Sequence, residues 1–304
     1  MAPSPVDCPR VSVGIPTYNR LPMLRRAVDS VLQESYPHIE LIITDNASTD
    51  GTSAFCEEIA RLDPRVRYLR HSANCGAHGN FISALQQATG VYFMWLGDDD
   101  WVDPGYIEQC IEILQSREDT VLVCGKAHYY QDENLVSEEM GISLLQESPL
   151  HRLRYYFQHV SRNGEYYGLM RRELLVNTAY PTTLGGDWVV IGAMACRGKF
   201  VSLPTICINR ALGGASESAK SVVQASNATS FVANSTWMFW LGVAFYTAKA
   251  ILLDATSFAP LTTAERCLAS THTFWTILQR YARPELGSSL RKTKLWSDIS
   301  QRQA

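Results

Sequence analysis

Several signatures that would assign the chain at a glance are missing from its sequence. It holds 8 cysteines, yet none form a CxxC pair and most sit in apolar stretches, so no zinc spacing is present. The start, Met1-Ala2-Pro3-Ser4-Pro5, lacks the apolar core of a signal peptide. Reduced thiols in a cytoplasmic protein are therefore expected. There is no basic excess: 27 Lys and Arg stand against 30 Asp and Glu, a formal charge of −3. That argues against a nucleic-acid binder. No GxGxxG follows the first predicted strand, which counts against a dehydrogenase. Internal repeats, low-complexity tracts and a clean linker are absent. The main apolar run, residues 231–254, is broken by Asn234, Lys249 and Asp254 and is too short to read as a membrane span. A buried helix is expected there; the alternative is an interfacial helix whose aromatics and Lys249 sit at a headgroup boundary.

What is present is an ordinary globular composition. The 304 residues are 46% hydrophobic and 19% charged, enough for one large domain or two small ones. Strand patterns at residues 11–16, 39–44, 66–69, 91–96 and 121–124 alternate with helix patterns at 24–33, 50–62, 77–88 and 104–114. Ser48-Thr49-Asp50-Gly51 offers capping chemistry, and Pro104 suits a first helical turn. Such alternation predicts parallel strands with right-handed crossovers, a nucleotide-binding type of α/β half. Beyond about residue 125 the pattern loosens. A helix at 148–160, a strand at 166–170, a helix at 185–197 and extended chain at 200–208 are expected, then mostly helix beyond Gly213-Gly214.

The sharpest local feature is Gly97-Asp98-Asp99-Asp100-Trp101, directly after the apolar run 91–96. Adjacent carboxylates repel one another and resist desolvation. A divalent cation removes both costs, and hard oxygen ligands suit Mg²⁺ or Mn²⁺. Strand ends of open α/β sheets are also where ligands bind. The plainer reading is an acidic turn that caps the helix near Pro104.

Two further motifs end strands on the same edge: Ile15-Pro16-Thr17-Tyr18-Asn19-Arg20 and Thr44-Asp45-Asn46-Ala47-Ser48-Thr49-Asp50-Gly51. Later come Gly185-Gly186-Asp187-Trp188 and the segment from Ile208 to Ser216. In this order and spacing, residues 11–216 resemble the inverting glycosyltransferases of family 2. The resemblance implies a GT-A fold: an α/β, Rossmann-like, mostly parallel central sheet flanked by helices, with a helical C-terminal appendage. It implies a disordered stretch at 1–10, a nucleotide-sugar-binding half at 11–126, an acceptor-binding half of the same domain at 127–216, and a helical region at 217–304.

The resemblance also implies roles. Pro16, Thr17 and Tyr18 form the first nucleotide-contacting turn. Asp45 accepts the N3–H of uracil, its alternative being a cap on the following turn. Asn74 and Gly76 lie on the donor side, or serve only their turn. Asp98 binds ribose hydroxyls or a metal-bound water, Asp99 is the direct ligand of Mn²⁺ or Mg²⁺, and Asp100 binds metal or donor sugar. Asp187 is the general base, a role compatible with capping its helix, and Trp188 packs against a sugar. Arg210 neutralises the leaving diphosphate. Two positions depart from the family pattern: Gly97 stands where many relatives have Asp, and Leu212 where they often have His. The implied donor is a UDP- or dTDP-sugar. The acceptor, a carbohydrate or lipid-linked hydroxyl, stays open among polysaccharide, lipid-linked oligosaccharide, lipopolysaccharide core and small natural products; the aromatic segment Trp237 to Tyr246 favours envelope polysaccharide assembly, with peripheral association at the inner face of the membrane. Two competitors remain. A sugar-phosphate nucleotidyltransferase would need a Gly/Arg-rich loop where this chain has Pro16 to Arg20. An inactive carbohydrate-binding relative would have little reason to keep Asp99 and Asp187.

Overall fold

The computed structural model describes residues 8–213 and 236–282. Most of the expected disordered residues 1–10, Gly214 to Ser216 of the last motif, and the stretches 217–235 and 283–304 lie outside the described residues. Pro9 is described, and its carbonyl accepts from the Tyr36 hydroxyl at 2.6 Å.

Four strands open the fold: β1 (Val11–Thr17), β2 (Ile39–Asp45), β3 (Val66–Arg70) and β4 (Tyr92–Trp95). They are parallel and ordered β3-β2-β1-β4. Helices α1 (Leu21–Leu32), α2 (Thr52–Leu62) and α3 (Gly76–Gln87) connect them. Every residue of β1 and β2 is buried, as expected for strands covered on both faces. Alternate residues divide between two cores. Val13, Ile15, Leu41, Ile43 and Met94 join Leu24 and Val28 of α1, whereas Ile42, Phe93 and Trp95 join Ala84 and Leu85 of α3. Gly14 permits this layering: a Cβ there would lie 2.9 Å from Ala84 Cβ and 3.0 Å from the Phe93 ring.

The second half extends the same sheet. Next come β5 (Trp101–Val102), α4 (Tyr106–Ser116), β6 (Thr120–Gln131), β7 (Asn134–Glu139) and α5 (Pro149–His159). A 3-10 turn (Gly164–Tyr167), β8 (Leu169–Arg171), α6 (Arg172–Val176), α7 (Gly186–Arg197) and β9 (Lys199–Ala211) follow. The full strand order is β3-β2-β1-β4-β8-β6-β9-β5, with β7 a hairpin on β6. Here the pairing is mixed: β8 is antiparallel to β4 and β6, β9 is parallel to β6, and β5 is antiparallel to β9. Strand β6 runs through residue 126, so one sheet joins the two expected halves. Helices α8 (Thr236–Leu253) and α9 (Thr263–Ile277) pack behind, followed by a π-helical turn (Leu278–Ala282).

Three local expectations change. Helix α4 begins at Tyr106, not Pro104, because Gly105 turns left-handed (φ 80°) and the N–H groups of Gly105 and Tyr106 go to Glu34. The expected strand at 166–170 is a 3-10 turn and a three-residue strand. Asn163 is left-handed (φ 49°) just before it, and Tyr166 stacks on Trp95 at 4.6 Å instead of entering the sheet. The short β5 and the largely exposed β7 carried no apolar run to announce them.

Candidate active site

The carboxyl ends of β1 and β4 meet at a cleft of about 710 Å³. Its lining includes Pro16, Arg20 and residues 97–100 from the first half of the chain and Asp187, Trp188, Arg210 and Leu212 from the second.

The acidic triplet turns back on itself, with Asp100 N–H donating to the Gly97 carbonyl at 3.1 Å. A Cβ on residue 97 would sit 2.9 Å from Asp99 Oδ1 and from Asp100 Oδ2, so a side chain there would have to displace those carboxylates. Asp98 accepts from Thr17 Oγ1 at 2.8 Å and from Arg20 Nη1 at 3.2 Å. The same Arg20 nitrogen reaches Asp99 Oδ2 at 2.8 Å, so one guanidinium bridges two carboxylates. Asp100 accepts from Arg210 Nε at 3.4 Å and from the Ala211 N–H at 3.2 Å. Burial pushes Asp98 up to about 6 against the pull of Arg20, with Asp99 adding to the rise. Burial likewise raises Asp100, opposed by Arg210.

Three carboxylates thus face two guanidinium groups. Asp99 is the least buried of the three, and its Oδ1 has no hydrogen bond among the described residues. This oxygen set suits a hard divalent cation at Asp99, with Asp98 beside it. Asp100, the other expected ligand, also lines the cleft; it is 3% exposed and each of its oxygens accepts one hydrogen bond. Among the described residues no cluster of three or more His, Cys, Asp or Glu could hold an ion by itself.

Asp187 stands in the first turn of α7, behind Gly185, whose positive φ (75°) starts the helix. Water reaches its carboxylate from the cleft, yet protein surrounds it. Burial raises its proton affinity, and a hydrogen bond from Asn163 Nδ2 at 2.9 Å opposes the rise. Arg152 fixes the other end of α7 by donating to the carbonyls of Ala195 (2.7 Å) and Cys196 (3.0 Å). Arg210 lies over the Tyr167 ring at 4.4 Å and over Tyr129 at 5.7 Å, and it stays charged with Tyr167 and Asp100 as partners.

Other expected site residues are placed differently. Thr17 is buried and serves Asp98. Tyr18 is 45% exposed. Asp45 is fully buried: its Oδ1 accepts from Ser48 N–H (2.9 Å) and its Oδ2 from the Tyr68 hydroxyl (2.8 Å). Asp45 therefore caps the following turn, and each of its oxygens accepts one hydrogen bond. Asn74 Oδ1 accepts from Gly76 N–H and Asn46 Nδ2, both at 2.8 Å, and Gly76 has φ 79°, so both residues build their own turn. The Trp188 ring is 6% exposed, packed against Tyr281 (5.5 Å), Trp240 (5.9 Å) and Phe157 (6.4 Å). It is a wall of the cleft and not an open stacking platform.

Some lining residues were not anticipated. Arg20 was visible in its motif, but its ion pairs span 78 and 79 residues of sequence. Tyr129 gave no local signal, nor did Asn163 behind the lining, whereas Tyr167 fell in the strand expected at 166–170. Helix α8 supplies Phe239, Trp240 and Val243 to the cleft, while Phe245, Tyr246, Leu252 and Leu253 further along it are exposed. It is thus neither simply buried nor simply interfacial. Among the described residues no helix is long and apolar enough to cross a membrane.

Comparison with known proteins adds three findings. Residues 12–177 match the family model described as Glycosyl transferase family 2. The GalNAc(5)-diNAcBac-PP-undecaprenol β-1,3-glucosyltransferase of Campylobacter jejuni is 27% identical over 180 residues, 59% of this chain and 57% of that protein. A putative teichuronic acid biosynthesis glycosyltransferase of Bacillus subtilis, TuaG, is 36% identical over 109 residues, 36% of this chain and 43% of its own. The chain therefore spans about half the length of the curated relatives it matches. Among solved structures, S. aureus TarS 1–349 in complex with UDP-GlcNAc superposes with a TM-score of 0.63 at 16% identity, covering 90% of this chain and 73% of TarS. A Pyrobaculum calidifontis mannosyltransferase in complex with GDP-Man and Mn²⁺ gives 0.53 at 18% identity, covering 97% and 82%.

Proposed function

Because this chain belongs to glycosyl transferase family 2 and has the GT-A fold, we propose that it is an inverting glycosyltransferase acting in envelope polysaccharide assembly. Its donor is a nucleoside-diphosphate sugar, a UDP-sugar first and a dTDP-sugar second. Its acceptor is a carbohydrate hydroxyl, carried on a lipid. One observation carries this reading: Asp98, Asp99, Arg210 and Asp187 open on the same cleft. The UDP-GlcNAc complex of TarS and the undecaprenol-linked substrate named for the Campylobacter relative support the donor and acceptor classes.

In the proposed reaction Asp187 takes the proton of the acceptor hydroxyl as that oxygen attacks the anomeric carbon. The bond from that carbon to the diphosphate breaks on the opposite face, and the configuration inverts. Arg210 and Arg20, together with Arg162, line the cleft as cations available to the leaving diphosphate. Asp99, with Asp98 beside it, would hold Mn²⁺ or Mg²⁺, which would supply further positive charge for that group. Asp45 accepts from Ser48 and Tyr68 and each oxygen keeps a lone pair for a further donor, so base selection is tested directly. A thermal-shift series of UDP, dTDP and GDP with Mn²⁺ tests it. UDP should stabilise most, and stabilisation by GDP alone would contradict the donor assignment. Sugar transfer tests the chemistry: binding without turnover would make the chain an inactive relative, and formation of UDP-sugar from UTP a nucleotidyltransferase. Work on a lipid-linked acceptor puts the protein at the inner membrane face, where liposome sedimentation should recover it.

A further inference from the structure

The proposed base does not stand alone. We infer that Asn163 is a positioning residue that orients the Asp187 carboxylate and keeps it ionised, and that Tyr156 holds Asn163 in place. The inference rests on the reading of Asp187 as base.

Asn163 is 3% exposed and contacts Asp187 from outside α7. Its Oδ1 accepts from the Tyr156 hydroxyl at 2.7 Å, and its Nδ2 donates to Asp187 Oδ2 at 2.9 Å. The chemistry fixes this sense. A flipped amide would turn its oxygen on a carboxylate, which has no proton to give. The Tyr156 hydroxyl must then donate, and Tyr156 itself is fully buried on α5. The backbone of Asn163 is left-handed (φ 49°, ψ 47°) where the chain enters the 3-10 turn. Asn tolerates that region better than most residues, and the conformation aims the short side chain between α5 and α7. Neither the helix nor the turn needs an amide here. The side chain serves the two groups it joins.

The charged and titratable groups around Asp187 come from three elements: Tyr156 of α5, Tyr166 and Tyr167 of the 3-10 turn, and Arg210 of β9; α8 brings Phe239, Trp240 and Val243 to the cleft and Thr247 beside Gly185. Only Arg210 is a cation, so Asn163 is the one neutral side-chain donor bonded directly to the carboxylate among the described residues. Loss of that donor favours the protonated acid.

The direct test is a ¹³Cγ-Asp NMR titration of the whole chain, with the Asp187→Asn variant identifying the resonance. Asn163→Gly removes the side chain while tolerating the positive φ, so the fold is retained. Its Asp187 midpoint should rise by about one pH unit, a tenfold gain in proton affinity. Tyr156→Phe should shift it the same way by less. UDP release from UDP-GlcNAc with Mn²⁺ should fall ~10- to 100-fold in kcat for Asn163→Gly while the donor KM stays within about twofold. The ascending limb of its pH profile should move up with the NMR midpoint. An unmoved midpoint in a folded Asn163→Gly protein overturns the inference and leaves the base reading intact. Full turnover by Asp187→Asn overturns both.

Discussion

At the amino ends of β1, β2 and β4 a single buried carboxylate, Glu40, is surrounded by donors; at the carboxyl ends of β1 and β4 three carboxylates crowd two arginines. Glu40 Oε1 accepts from Ser12 Oγ, from Thr89 N–H (2.5 Å) and Oγ1 (2.9 Å), and from Gly90 N–H (3.1 Å). Arg67 stands 3.6 Å from its second oxygen. Burial works to raise Glu40, but these hydrogen bonds outweigh it and hold the group below its ordinary value. Across the sheet, burial wins: Asp98, Asp100 and Asp187 are all raised. The same side-chain chemistry is met by donors at one end of the sheet, while at the other Asp99 keeps an oxygen with no hydrogen bond among the described residues. The first end stabilises the fold; the second keeps electrostatic demand in reserve for a ligand.

The comparison breaks most visibly if the two ends respond alike to loss of charge. Asp99→Asn should lower transfer by ~10²- to 10³-fold and abolish Mn²⁺-dependent thermal stabilisation, with little change in the melting temperature of the ligand-free protein. Calorimetry and a transfer assay measure the two parts. A large stability loss with normal activity would mean that the acidic triplet is structural after all.

Glu40→Ala should do the reverse. It leaves the Ser12 hydroxyl and the N–H groups of Thr89 and Gly90 without their acceptor, at a cost of about 3 kcal/mol of unfolding free energy. Turnover of the folded fraction should be unchanged, since Glu40 sits at the opposite end of the sheet from the cleft. Urea denaturation measures the first part. The pH dependence has a definite sign. A carboxylate lowered on folding contributes fully above its unfolded value, about 4.5 for Glu, and loses that contribution as pH falls through the lower folded value. The gap in stability between the native chain and Glu40→Ala should therefore be constant near neutrality and shrink only below about pH 4.5.

How far the sequence revealed this contrast depended on the range of each interaction. Strands β1, β2 and β4 were legible because their apolar runs are local. The acidic triplet and Asp187 were legible because each motif lies within a few residues. The Arg20 bridge and the Asn163 contact were not, since each joins residues far apart in sequence. The contact of Asp45 with Tyr68 was hidden for the same reason: the partner lies 23 residues on, in another strand. Residues 166–170 misled because an aromatic run suits a strand, while stacking of Tyr166 on Trp95 decided otherwise. Helix α8 is apolar nearly all round, so no face could be assigned before its neighbours were in place.

Asp50 sharpens the comparison, because it lies just past the carboxyl end of β2 yet behaves like Glu40. Its Oδ1 accepts from Thr52 Oγ1 (2.6 Å) and Thr52 N–H (3.2 Å), and its Oδ2 from Leu21 N–H (3.0 Å). One carboxylate thus ties the starts of α1 and α2. Burial acts to raise it slightly, but the bonds to Thr52 and Leu21 prevail and lower it. If position along the strand decided a carboxylate's role, Asp50→Ala would cut transfer as Asp99→Asn does. If partners decide it, the variant should lose only about 1 kcal/mol of stability, as for a lost helix cap, with kcat within about twofold of the native chain. A kcat loss of tenfold or more at unchanged stability would show that strand end, and not hydrogen-bond satisfaction, separates the two kinds of carboxylate in this fold.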